Sequence, residues 1–250
     1  MPRLNTDTEQ VTHKIGSGFS FKGARIDHLG ATEYTLVTIA VDETGSVVAF
    51  KDELRKMLVM AVEACKKSPR SDNILIRVIK FSSKYAKGVD EIHGFKPLSE
   101  IDTAAYPAFN PGGMTPLCDA AFSIIGAMNV YGKQLLDQEF GANGIGFLIT
   151  DGDNNNSTAT EAMVKAEAKK SVSGETLESL ITVLIGINVA EFKKTLEDFQ
   201  RNTGITQFID AGDASPRKLA KIADFVSSSV SSTSLALGTG GPSQNISPTI

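Results

Sequence analysis

The chain is poor in the residues that soft metals and disulfide scaffolds require: it has two cysteines and three histidines among 250 residues. Cys65 and Cys118 lie far apart in helix-like segments, so they form neither a disulfide framework nor a zinc pattern. They read as reduced thiols that serve packing. His13 and His28 stand in the N-terminal stretch with no nucleophile to pair them, and His93 reads as a surface residue on a strand. No apolar run approaches the ~20 residues that a membrane helix needs. Met1 to Gln10 is polar and lacks the apolar segment of a secretory signal, so the expected location is cytoplasmic, with no membrane partner. Basic charge is not in excess either: 25 Lys and Arg stand against 29 Asp and Glu, a net charge of −4. That balance argues against nucleic acid, whose phosphates call for a basic patch. Phe50, Phe122 and Phe147 accordingly read as core, not as a stacking surface. A Walker-type loop and a G-x-G-x-x-G after the first strand are both missing, and Gly16-Ser17-Gly18 does not precede a helix pattern, so a nucleotide would have no cradle.

What is present is a rhythm. Hydrophobic residues make up 41 % of the chain and charged residues 22 %, ordinary for a globular protein. Residues 1–33 are polar, Gly-containing and read as an extension with at most one short strand. From Tyr34 the pattern alternates. Tyr34 to Val41 is β-branched and apolar, a buried-strand composition. Val47 to Lys67 repeats apolar residues at spacings of three and four, one face of a helix. Asn73 to Phe81 and Tyr85 to Phe95 read as a strand pair. Then follow a helix (Pro116 to Leu136), a strand (Gly144 to Thr150), a helix (Thr158 to Ser171), a strand within Leu177 to Ile187, a helix (Ala190 to Asn202), a short strand (Thr206 to Ile209) and a last helix (Ala214 to Ser232). Such alternation predicts an α/β fold: a doubly wound, Rossmann-like three-layer sandwich with a mostly parallel sheet, one antiparallel edge strand and helices on both faces. The expected organisation is an extension (1–33), one folded domain (34–232) and a flexible tail rich in Ser, Gly and Pro (233–250).

Ligands of such sheets sit beyond the carboxyl ends of the strands, where the strand order reverses. Three loops there carry oxygen ligands: Asp42-Glu43-Thr44-Gly45-Ser46, Pro111-Gly112-Gly113-Met114-Thr115-Pro116, and Asp151-Gly152-Asp153-Asn154. None offers His or Cys. An oxygen-only set suits hard cations, Mg²⁺ above all, with Ca²⁺ or Mn²⁺ as alternatives. Asp42 and Asp151 balance a divalent charge, while Thr44, Ser46 and Thr115 supply neutral oxygens, which leaves the cation attractive to an external carboxylate. Ser46 opens the following helix in the manner of an N-cap, and Pro116 at the first position of its helix would make Thr115 the cap.

Asp42-x-Thr44-x-Ser46, Gly112-Gly113-Met114-Thr115-Pro116-Leu117 and Leu148-Ile149-Thr150-Asp151-Gly152, in this order, resemble the metal-ion-dependent adhesion site of von Willebrand factor A domains, of an intracellular, prokaryotic or phage-type branch. The usual central Ser of the first motif is Thr44 here, which keeps the oxygen and adds a methyl. The resemblance covers about residues 34–232. It implies that Ser46, Thr44 and Thr115 touch the metal directly, that Asp42 and Asp151 act mainly through water, and that an acidic residue of a partner protein completes the shell. Asp119, one turn after Thr115, is placed either behind the ligands or in solvent. The expected function is a metal-dependent protein-interaction module and not an enzyme, with homo-oligomerisation left open. An assembly scaffold is the alternative. A Mg²⁺-dependent phosphoester hydrolase is the weaker one, because the second acid such a site needs is replaced by Thr44.

Overall fold

The computed structural model describes residues 10–173 and 176–240. The elements, in chain order, are β1 (Gln10–Gly16), β2 (Phe19–Ala24), β3 (Glu33–Asp42), α1 (Lys51–Cys65), β4 (Ile74–Phe81), β5 (Val89–Pro97), α2 (Leu117–Leu136), β6 (Gly141–Thr150), α3 (Glu161–Ser173), β7 (Leu180–Gly186), α4 (Lys193–Thr203), β8 (Gln207–Asp210) and α5 (Pro216–Gly238). Among these residues one sheet runs in the order β1-β2-β5-β4-β3-β6-β7-β8. β4, β3, β6, β7 and β8 are parallel neighbours, and β5 runs antiparallel to β4.

The period of two along each central strand sorts side chains to two covered faces. Val37, Ile39 and Val41 of β3, with Ile145, Phe147 and Ile149 of β6, pack under α1 and α5 through Leu54, Leu58, Ile222 and Val226. Leu36 and Ala40 of β3, with Leu148 and Leu184, face α2 and α4 through Ala121, Ile125, Leu196 and Phe199. Each face therefore has its own apolar layer, which is why the central strands read as nearly continuous apolar runs. Cys65 belongs to the first layer and Cys118 to the second; both are free and buried. The α2-facing side buries a large charge: Arg77 of β4 is 1 % exposed and pairs with Glu91 of β5 at 2.7 Å. Its guanidinium also donates to the Ser123 hydroxyl of α2 at 3.1 Å.

Several boundaries differ from the sequence expectation. The stretch expected as an extension contains a hairpin, β1–β2, closed by Ser17 and Gly18, both at positive φ (50° and 80°) as a two-residue hairpin turn demands. The hairpin lies outside β5, so the antiparallel border of the sheet is wider than one strand. It meets β5 in register only at Gly23 opposite Phe95. Elsewhere the attachment is through side chains: the Lys22 N–H donates to the Glu91 carboxylate at 3.1 Å, and the Tyr131 hydroxyl donates to the Ala24 carbonyl at 2.6 Å. Polar alternation and scattered glycines hid this hairpin, since half its side chains face water. At the other end, α5 continues to Gly238, with Thr233, Ser234 and Leu237 buried, so the expected boundary at 232 falls inside a helix. Of the expected tail, residues 241–250 lie outside the described residues. His93 is not a surface residue: it is half-buried and its Nε2 lies 2.8 Å from the Tyr106 hydroxyl. No described helix is long and apolar enough to cross a membrane.

Candidate metal site

The order β4-β3-β6 places the reversal of winding between β3 and β6. The register there, Val41 opposite Ile149, brings the carboxyl ends of the two strands level. Asp42 is the last residue of β3, and Thr150 is the last of β6. The Thr150 hydroxyl donates to Asp42 Oδ2 at 2.7 Å, and the Thr44 N–H donates to Asp42 Oδ1 at 2.8 Å. Asp42 is thereby locked in one orientation under the loop, 1 % exposed.

After Asp42 the chain turns at Thr44 into a 3-10 stretch, Gly45–Phe50. The Ser46 hydroxyl lies 3.0 Å from that of Thr44 and donates to Asp151 Oδ1 at 2.7 Å. Ser46 is therefore not a helix cap. α1 itself starts only at Lys51, and no side chain caps it. Thr115 differs from expectation in a similar way. It is buried and precedes Pro116, which is the residue flanking α2; the helix starts at Leu117. Its backbone is held on both sides, with the N–H donating to Asn155 Oδ1 at 2.7 Å and the carbonyl accepting from the Asn155 N–H at 3.1 Å. A Cβ added at Gly152 would lie 3.7 Å from Thr115 Oγ1, which sets that hydroxyl against the Asp151 loop. All five residues singled out from the sequence thus converge at one edge: Asp42, Thr44, Ser46 and Asp151 in a hydrogen-bonded chain, Thr115 beside it. Exposure rises through the set, from buried Asp42, Thr44 and Thr115 through half-buried Asp151 to exposed Ser46.

The electrostatics are unbalanced. Burial, joined by the nearby Asp151 charge, pushes the Asp42 carboxyl up to about 6 against the hydrogen bonds it accepts. Burial also raises Asp151, opposed by the Ser46 hydroxyl. No lysine or arginine offsets either carboxylate among the described residues. Nor do three His, Cys, Asp or Glu side chains gather there. The site is two acids and three hydroxyls, short of positive charge. An oxygen-only set with that deficit fits a divalent cation of the Mg²⁺ type.

Two acids beside the set were not understood from sequence. Glu43 is fully buried; its carboxylate accepts from the Asn110 N–H at 2.6 Å and from the Tyr85 hydroxyl, and pairs with Lys84 at 3.1 Å and Lys80 at 3.3 Å. Burial alone would raise it, but these partners outweigh burial and hold the carboxyl below its usual range. Its own backbone accepts from the Gly112 N–H, which ties the first loop to the second. Of the two places expected for Asp119, the structure excludes solvent. Asp119 is buried on α2 and accepts from the N–H groups of Thr158 and Ala159 at 3.0 and 2.6 Å, bracing the third loop. Burial raises its carboxyl, and those two donors offset part of the rise. Asn154 and Asn155 serve the same bracing, through Cys118 and Thr115. The signal for Asn154 and Asn155 was only a run of Asx residues, which sequence cannot tell from an ordinary loop.

No family model and no curated protein matches the sequence. Solved structures do. A von Willebrand factor type A protein from Catenulispora acidiphila aligns with TM-score 0.56 and 14 % identity over 85 % of this chain and 45 % of its own. The PilB minor pilin from Streptococcus sanguinis, as a single-residue variant, aligns with TM-score 0.55 and 16 % identity over 88 % and 66 %. The pilus adhesin SpaC from Lactobacillus rhamnosus GG aligns with TM-score 0.54 and 11 % identity over 85 % and 32 %. The chain spans from about a third to just under two thirds of the length of these structures. At such identities the likeness concerns the fold: the chain has a von Willebrand factor A-like fold.

Proposed function

We infer that the chain is a metal-dependent protein-interaction module whose carboxyl-edge site binds an acidic residue of a partner. The observation that carries this reading is the convergence of Asp42, Thr44, Ser46, Thr115 and Asp151 with two partly uncompensated carboxylates. These five would hold the cation. A divalent ion there, Mg²⁺ first and Mn²⁺ or Ca²⁺ next, supplies a Lewis-acidic position for an external carboxylate. The chain's own residues do the rest. Thr150 and the Thr44 N–H fix Asp42; Glu43 fixes the first loop against the second; Asp119, Asn154 and Asn155 fix the third. The donor set is thus held ready before any ligand arrives, which lowers the ordering cost of binding. The two acids match a divalent charge, and among the described residues no third acid joins the donor set to quench its pull on a partner. The fold likeness to a minor pilin and a pilus adhesin supports an interaction or assembly role.

We leave catalysis out of this reading, because among the described residues the hydrogen-bond partners of the set include no histidine and no acid beyond Asp42 and Asp151 to serve as a general base. The test is recovery of partners on the immobilised chain with Mg²⁺, with chelator, and with Asp42→Ala. Metal-dependent recovery lost in the variant is expected; equal recovery in all three arms overturns the reading. Mg²⁺-dependent phosphoester turnover that Asp42→Ala removes would favour the hydrolase instead.

A further inference from the structure

The rim of the metal site is apolar at two points. Met114 is 50 % exposed and Val48 is 61 % exposed, two of the few large apolar side chains left open to water among the described residues. Both flank the donor set. Met114 directly precedes Thr115. Val48 follows Ser46 by two residues along a 3-10 stretch, about 4 Å of axial rise. The loops that carry them are tied together, since the Gly45 N–H donates to the Gly113 carbonyl at 3.1 Å.

Neither side chain is out by accident of a loose loop. Met114 is pinned through its backbone in both directions: its N–H donates to the Ser83 hydroxyl at 2.8 Å and its carbonyl accepts from the Ser83 N–H at 2.9 Å. The Asn156 amide lies 3.7 Å from its sulfur. Val48 is held by its neighbours Val47 and Phe50, which are buried in the α1-facing layer. A rigid backbone presenting a thioether and a branched methyl pair to water, within two residues of Thr115 and Ser46, makes a composite surface with the donor set. It combines charge at the centre with apolar contact at the flanks. The charged rim residue on the third loop is Asp153, half-exposed, which repels a second acid.

We propose that the ligand of this site is a single acidic side chain flanked by apolar residues on a partner segment, and not an acidic run or an isolated carboxylate. The proposal rests on the metal-dependent reading above. Apolar flanks set specificity because the central charge alone accepts any accessible acid, whereas Met114 and Val48 reward only neighbours that bury area against them.

Two acetylated, amidated heptapeptides test it: one with a central glutamate between glycines, the other with leucine on either side of the glutamate. Affinities are read by NMR titration of the full chain in saturating Mg²⁺, with and without chelator. The leucine-flanked peptide should bind about tenfold more tightly. Val48→Ser with Met114→Ser should remove that advantage while leaving the glycine-flanked affinity and calorimetric Mn²⁺ binding as they are. Equal, chelator-sensitive affinities in the wild-type chain overturn the apolar rim and leave the metal-dependent reading intact. Binding of either peptide that ignores the chelator, or no binding of either, overturns both. The wild-type comparison decides the matter even if the double variant folds poorly.

Discussion

The Ser46 hydroxyl donates to Asp151 Oδ1 at 2.7 Å across a separation of 105 residues. That contact joins the loop after β3 to the loop after β6 over the reversal of winding. It means that the donor atoms are held close to one another by hydrogen bonds that a cation would replace. Removing either partner should therefore affect ion binding more than folding.

Metal addition gives the first expectation. A ligand that binds only the folded state at a concentration of 100 Kd adds about 2.7 kcal/mol. For a chain of this size that is roughly a 5–10 °C rise in Tm. Differential scanning fluorimetry should show such a rise with millimolar Mg²⁺ or Mn²⁺, reversed by chelator, and none in Asp42→Asn. A rise of equal size in that variant would place the ion elsewhere.

Asp119→Ala should destabilise the fold by about 1–3 kcal/mol, because the buried N–H of Ala159 and the more exposed N–H of Thr158 lose a charged acceptor. Urea unfolding measures it. Loss below about 0.5 kcal/mol would show that water takes over the bracing.

Arg77 and Glu91 form a pair in which the arginine is buried almost completely. Glu91→Ala leaves that charge without its partner and should cost about 3 kcal/mol. Replacing both, as Arg77→Met with Glu91→Leu, should recover most of the loss. Equal destabilisation by the single and double changes, in denaturant melts, would refute this.

His93 gives the pH dependence. Burial, with Lys96 and Arg77 nearby, pushes its pKa down to about 4 from an ordinary value near 6.5. The folded state therefore prefers the neutral ring. No cost arises above pH 6.5, where the ring is neutral folded and unfolded. As pH falls from 6.5 towards 4 the unfolded chain takes up a proton that the folded one refuses, and stability drops by on the order of 1–3 kcal/mol. In His93→Gln the stability curve should flatten over that window; an unchanged acid limb would assign it to other groups.

The site and the central sheet were legible in the sequence for one shared reason. Strands buried on both faces are written as apolar runs, and the loops at their carboxyl ends concentrate whatever polar chemistry the fold carries, so Asp42, Thr115 and Asp151 stood out by position. What stayed hidden depended on partners distant in sequence. Glu43 looked like a filler between two ligands, and its role came from Tyr85, Lys80, Lys84 and Asn110. Asp119 fitted two readings because helical spacing places a residue on a face without saying what covers that face. Ser46 and Thr115 had the composition of caps, yet their hydroxyls are committed to, or set against, the Asp151 loop, so the local preference yielded to a tertiary one. The β1–β2 hairpin escaped because its strands are short and half exposed: only Phe19 and Phe21 of β2 mark a buried alternation, and β1 has none.

That hairpin has a dynamic consequence. One register pair and a handful of side chains, Glu91 and Tyr131 foremost, connect it to the sheet, whereas β3, β4 and β6 share full ladders. A segment fastened in this way opens as a unit, below the free energy that opens the whole domain. In native-state hydrogen exchange the amides of Gln10–Gly16 and Phe19–Ala24 should share one lower opening energy, while those of β3 and β6 exchange only with global unfolding. The N-terminal border can then come and go while the acid-and-hydroxyl edge stays shut.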